Sequence, residues 1–126
     1  MEINPVETLQ AATVNLRQLC AKFAKPHLGR AIWQLINTLV PFFMLWALMA
    51  WSVVGEWGYG WTLLFALPTA GLYVRIFIFQ HDCGHGSFLK NRTAQDWLGR
   101  ALGVLTLTPY DVWRRSHSIH HAHHGD

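Results

Sequence analysis

Seven of the eight histidines of this 126-residue chain fall between positions 81 and 124. The first group is His81-Asp82-Cys83-Gly84-His85, and the second is His117-Ser118-Ile119-His120-His121-Ala122-His123-His124. Neutral imidazole is the commonest biological metal ligand. Residues three and four apart on a helix share a face. His81 and His85 therefore face one site, as do His117, His120 and His121. A structural zinc takes four ligands and a catalytic zinc usually three, so five imidazoles favour two ions. Imidazole suits zinc, copper, iron and nickel alike, and ligand type leaves the metal open. The chain has no H-E-x-x-H motif, so a zinc metalloprotease is not indicated.

The elements that must carry these groups are apolar. Ile32 to Val54 is a run of 23 residues without a charge. At 1.5 Å per residue it crosses a hydrocarbon core of about 30 Å. Trp61 to Phe79 forms a second span, with Pro68 and Gly71 inside it and Arg75 as its one charge. Pro41 is positioned to kink the first span, which membrane helices tolerate. Between the spans, the turn at 55–60 is rich in Gly, and Trp51, Trp57, Tyr59 and Trp61 form an interfacial aromatic belt.

Charge orients this hairpin. Arg17, Lys22, Lys25 and Arg30 precede it, and Lys90, Arg92, Arg100, Arg114 and Arg115 follow it. The turn at 55–60 has no Lys or Arg. The positive-inside rule then puts both ends, and the histidines, in the cytoplasm. The expected fold is all-α: a multi-pass integral membrane protein with a two-span hairpin and cytoplasmic His-bearing helices.

Residues 1–30 form a cytoplasmic N-terminal segment with an amphipathic helix over 4–25. Asn4 caps it, Pro5 opens it and Pro26 stops it. Leu9, Ala12, Leu16, Leu19 and Phe23 make its apolar stripe. Beyond the spans, Gly84 and Gly86 are expected to loosen the chain. A further amphipathic helix over 94–104 lies on the membrane or under the metal site, and a last helix starts near Asp111. Asp82, Asp111 and Asp126 are candidates for orienting imidazoles. Cys83 is a packing residue, and His27 is interfacial.

Composition agrees with a lipid environment. Hydrophobic residues make up 52% of the chain and charged residues 13%, about half the usual charged share. The net charge is +3. The cations flank apolar segments rather than forming a patch with interleaved aromatics, which favours anionic headgroups over nucleic acid. Cys20 and Cys83 offer no disulfide framework and suit a reducing compartment. No secretory signal is visible, because the long apolar stretch starts near residue 31.

The segment His81-Asp82-Cys83-Gly84-His85-Gly86-Ser87-Phe88 resembles the first histidine box of the membrane fatty acid desaturases, closest to acyl-lipid enzymes of Δ12 or ω-6 type. Thr106-Leu107-Thr108-Pro109-Tyr110, with Trp113 to Ala122 and Gly125-Asp126, resembles the family's second box and its flanks. The resemblance covers roughly residues 32–126, within a partial desaturase domain expected over 31–126. It implies His81, His85, His117, His120 and His121 as ligands of a non-haem di-iron centre. It also implies O₂, a lipid acyl substrate, and electrons from ferredoxin or cytochrome b5. An alkyl C–H has no acidic proton and no leaving group, so acid–base chemistry cannot start its oxidation. A metal centre that activates O₂ can remove the hydrogen atom, in a dry channel that limits side reactions.

The family's third histidine box follows a further pair of spans, whereas this sequence stops at Asp126. The expectation is an N-terminal portion of a desaturase. The alternatives are a related di-iron lipid hydroxylase or carotenoid ketolase, or a non-catalytic truncated membrane fragment. The lack of an Arg/Ser-rich leader favours a bacterial inner membrane.

Overall fold

The structure is a computed structural model that describes Thr13, Leu19 and residues 25–122, with side chains as far as His120. The helix expected over 4–25, His123, His124 and Asp126 lie outside this description. Four long helices follow Lys25: α1 Leu28–Val54, α2 Tyr59–His85, α3 Arg92–Leu105 and α4 Tyr110–Ala122. No strand occurs among the described residues.

α1 and α2 form an antiparallel hairpin, and both are long and apolar enough to cross a membrane. Only 17% of the most apolar window of each is buried, which separates them from the core helix of a soluble protein. Large side chains such as Val54, Leu67 and Tyr59 project outward. Hydrocarbon accepts such a surface, whereas in water it would be an aggregation-prone patch. Pro41 and Pro68 both sit inside continuous helices.

The α1–α2 seam uses small hydroxyl residues. Thr38, Ser52 and Thr69 are buried. Thr38 Oγ1 donates to the Gln34 carbonyl and Thr69 Oγ1 to the Phe65 carbonyl, at 2.7 Å each. The hydroxyls of Ser52 and Thr62 bridge the two helices at 2.8 Å. Such residues let membrane helices approach closely while keeping each polar atom satisfied.

The observed helices overrun the expected spans. α2 does not loosen at Gly84 but continues to His85. Gly86 then closes the helix in the left-handed region, at φ 83°, where glycine is favoured. Gly84 is retained for a different reason: a Cβ there would lie 2.8 Å from the Trp113 ring of α4. The first histidine pair therefore rides on the same continuous helix that is long and apolar enough to cross a bilayer.

Asn91 caps α3, accepting from the Ala94 N–H at 3.0 Å. α3 runs back along α2, and α4 turns again to climb beside it. Gln95 is buried in this corner, where its Oε1 accepts from the Phe88 and Leu89 N–H groups at 2.9 Å each. Its Nε2 has no partner among the described residues. The core lies at the histidine end of α2, built from Ile76, Phe79, Cys83, Phe88, Leu102 and Tyr110 together with Ala31 and Phe42 of α1. Cys83 is fully buried, as expected of a packing residue.

Candidate metal centre

His81 and His85 project from one face of the last turn of α2, and His117 of α4 meets them. His85 Nε2 lies 3.3 Å from His81 Nε2 and 3.1 Å from His117 Nε2. One ligand atom from each of the three residues falls within 4.8 Å of the others. Metal–nitrogen bonds of about 2.0–2.1 Å hold neighbouring ligand nitrogens roughly 3–3.5 Å apart. The observed spacing of the imidazole nitrogens fits an ion's ligand set. Each ring is part-exposed or exposed, so an ion reaches them without unfolding the helices.

The remaining histidines stand differently. His120 is exposed on α4, outside this three-nitrogen cluster. The backbone of His121 belongs to α4, but its side chain lies outside the described residues. His27 caps α1 without a side-chain hydrogen bond to it.

Trp113 holds the cluster from below. It precedes His117 by one helical turn and stacks on its ring, with centroids 4.7 Å apart and planes 16° apart. It also packs against His81, at 5.5 Å, and edge-on to Phe77, at 5.6 Å. Residue type gave no warning of this role, since a tryptophan in an apolar chain looks like any packing residue. A signal was present in its place four residues before His117.

Charged contacts fix α4 against α3. Asp96 Oδ1 accepts from Tyr110 Oη at 2.9 Å and from Arg114 Nη1 at 3.0 Å. Burial, then the bond to Asp96, pushes the Tyr110 phenol up to about 12, so it stays a donor. Arg100 grips Asp111 through two hydrogen bonds, at 2.9 and 3.2 Å. That contact holds the Asp111 carboxyl below its usual range. Asp111 thus serves the α3–α4 pairing rather than an imidazole. Asp82 lies 3.6 Å from His81 Nδ1, too far for a direct hydrogen bond. An open cleft of about 700 Å³ adjoins the cluster, lined in part by His85, Trp113, Arg114, Arg115 and His117.

Residues 55–126 match the family profile of the fatty acid desaturases. A fatty acid desaturase of Bacillus subtilis is 43% identical over 116 residues, which is 92% of this chain and 32% of that protein. An sn-1 acyl-lipid omega-3 desaturase (ferredoxin) of Synechocystis is 43% identical over 63 residues, 50% of this chain and 18% of that protein. A probable fatty acid desaturase of Sorghum bicolor is 32% identical over 96 residues, 76% of this chain and 24% of that protein. The chain thus spans about a third or less of the length of these relatives. No solved structure matches it.

Proposed function

This chain belongs to the fatty acid desaturase family, and from that premise we propose that it supplies part of the metal centre of a membrane-bound acyl-lipid desaturase. The observation that carries the reading is the meeting of three imidazoles, from two helices, at the end of a membrane-length helix. In this reading His81, His85, His117, His120 and His121 hold iron in a di-iron centre. Bound iron supplies the activation of O₂ needed to remove hydrogen from an unactivated alkyl chain.

The chain's own residues position that chemistry. α2 carries His81 and His85 on the helix that crosses the bilayer, so the site stands where an acyl chain can reach it. Trp113 sets the plane of His117. The Asp96 and Arg100 contacts fix the angle of α4. The hairpin spans the membrane with the histidines on its cytoplasmic side, in a bacterial inner membrane. Ferredoxin or cytochrome b5 brings the electrons, and Arg114 and Arg115 at the cleft offer such a carrier a cationic surface. Residues 31–126 act as one part of the desaturase domain, and the full activity belongs to the whole protein.

The test is lipid analysis of cells expressing the full-length protein and its His85→Ala variant. The reading predicts acyl chains lighter by two hydrogens with the native protein and unchanged acyl chains with the variant. An added oxygen atom in place of a double bond would move the protein to the hydroxylase chemistry. A desaturated product from the variant would overturn the ligand assignment.

A further inference from the structure

A second cavity, of about 170 Å³, lies where the start of α1 meets the end of α2. It shares no lining residue with the cleft beside the histidine cluster. Its polar walls come from two places. Lys25, His27 and Arg30 line it from the start of α1 and the residues just before. Asp82 and Ser87 line it from the last turn of α2 and the loop that follows.

The two walls have opposite chemistry. Lys25 and Arg30 are exposed and meet no carboxylate among the described residues, whereas Arg92, Arg100 and Arg114 each reach one. Ammonium and guanidinium groups only donate, so this wall calls for an anion. Across the cavity, Ser87 Oγ donates to the Asp82 carbonyl at 3.1 Å, so its proton is committed and its lone pairs remain for a donor. An ionised Asp82 carboxylate only accepts. Neither Lys nor Arg pairs with it among the described residues. The cavity thus has a donor half and an acceptor half, each without its counterpart. Its level is that of lipid headgroups, because Arg30 is the last charge before the apolar run of α1.

We propose that this cavity binds the headgroup of one zwitterionic phospholipid of the phosphatidylethanolamine type. Its phosphate is held by Lys25 and Arg30, and its ammonium by Asp82 and Ser87. A guanidinium suits phosphate oxygens because its N–H donors lie in one plane and act in pairs. Free phosphate carries no cation for the acceptor half and brings negative charge towards Asp82. A phosphatidylglycerol headgroup offers hydroxyls in place of the ammonium and leaves that carboxylate without a counter-charge. The inference goes beyond the desaturase reading and asks nothing of the metal.

The test is native mass spectrometry of the full-length protein in detergent, titrated with phosphatidylethanolamine and phosphatidylglycerol of matched acyl chains. The proposal expects phosphatidylethanolamine to bind about tenfold tighter than phosphatidylglycerol. Lys25→Ala with Arg30→Ala is expected to weaken that binding by about tenfold or more. Asp82→Asn is expected to remove the preference between the two lipids. Lys90→Ala, an exposed cation outside the cavity, is expected to leave binding unchanged. Native-level binding by the double variant would overturn the proposal. An equal loss with Lys90→Ala would also overturn it, by showing diffuse attraction between cations and headgroups. Phosphatidylglycerol binding as tightly, or inorganic phosphate displacing the lipid at equal concentration, would refute the two-walled site. Helix content is measured on each sample, and Lys25→Gln with Arg30→Gln repeats the comparison should the Ala pair lower it.

Discussion

His117 is held on two sides: by the Trp113 ring stacked against it and by the imidazole of His85, whose Nε2 lies 3.1 Å away. An imidazole on an exposed helix would sample several rotamers, and an ion binding there would have to order it. The stack supplies that order in advance, as an orienting partner does for a metal ligand. Trp113→Ala is therefore expected to weaken iron retention by about tenfold to a hundredfold. Trp113→Phe, which keeps a ring against His117, is expected to retain most of it. Chelator titration of the purified full-length protein reads both variants. Equal retention by the Ala variant and the native protein would remove Trp113 from the site.

At the scale of elements, the site depends on how closely α3 and α4 approach. Gly99 of α3 lies beneath the Tyr110 ring, and a Cβ there would overlap it. Ala is the better helix former by about 1 kcal/mol, which favours Gly99→Ala locally. The overlap is with a ring that is only 3% exposed and anchored to Asp96, so it cannot swing away cheaply. Overpacking of that kind costs about 1–3 kcal/mol. The net expectation is a lower melting temperature in detergent, together with reduced iron occupancy as α4 shifts.

The parts of this arrangement that could be read from sequence are those set by local periodicity. The spans showed themselves by length and missing charge, and His81 and His85 by their spacing on one face. The continuation of α2 through Gly84 did not show, because glycine is a helix breaker except where a neighbour needs the space. That neighbour, Trp113, is 29 residues away in sequence. Gln80, Gln95 and Asp96 were equally silent, since a polar residue on a helix looks the same in sequence whether it faces water or a partner within the protein. Gln80 meets Thr106 from 26 positions away. Nothing in the spacing of His117, His120 and His121 distinguished the first, which joins the α2 pair, from His120, which stands outside it.

For the whole molecule, a hairpin of two helices long and apolar enough to cross a bilayer carries a cluster of three histidines at one end. α2 has membrane length and also carries His81 and His85, so in the proposed desaturase lipid depth and metal position are fixed by the same rigid element. In that proposal the apolar outer faces of α1 and α2 set the depth, and the α3–α4 return brings His117 to the pair on α2. If this account is right, the three clustered histidines act together, and loss of any one should release the metal without unfolding the spans. The most direct test is the iron content of the full-length protein purified from its own membranes, native beside His81→Ala, His85→Ala and His117→Ala, with helix content measured on each sample. The account predicts iron in the native protein, a sharp loss in all three variants and unchanged helicity. Iron retained at the native level in all three would contradict it.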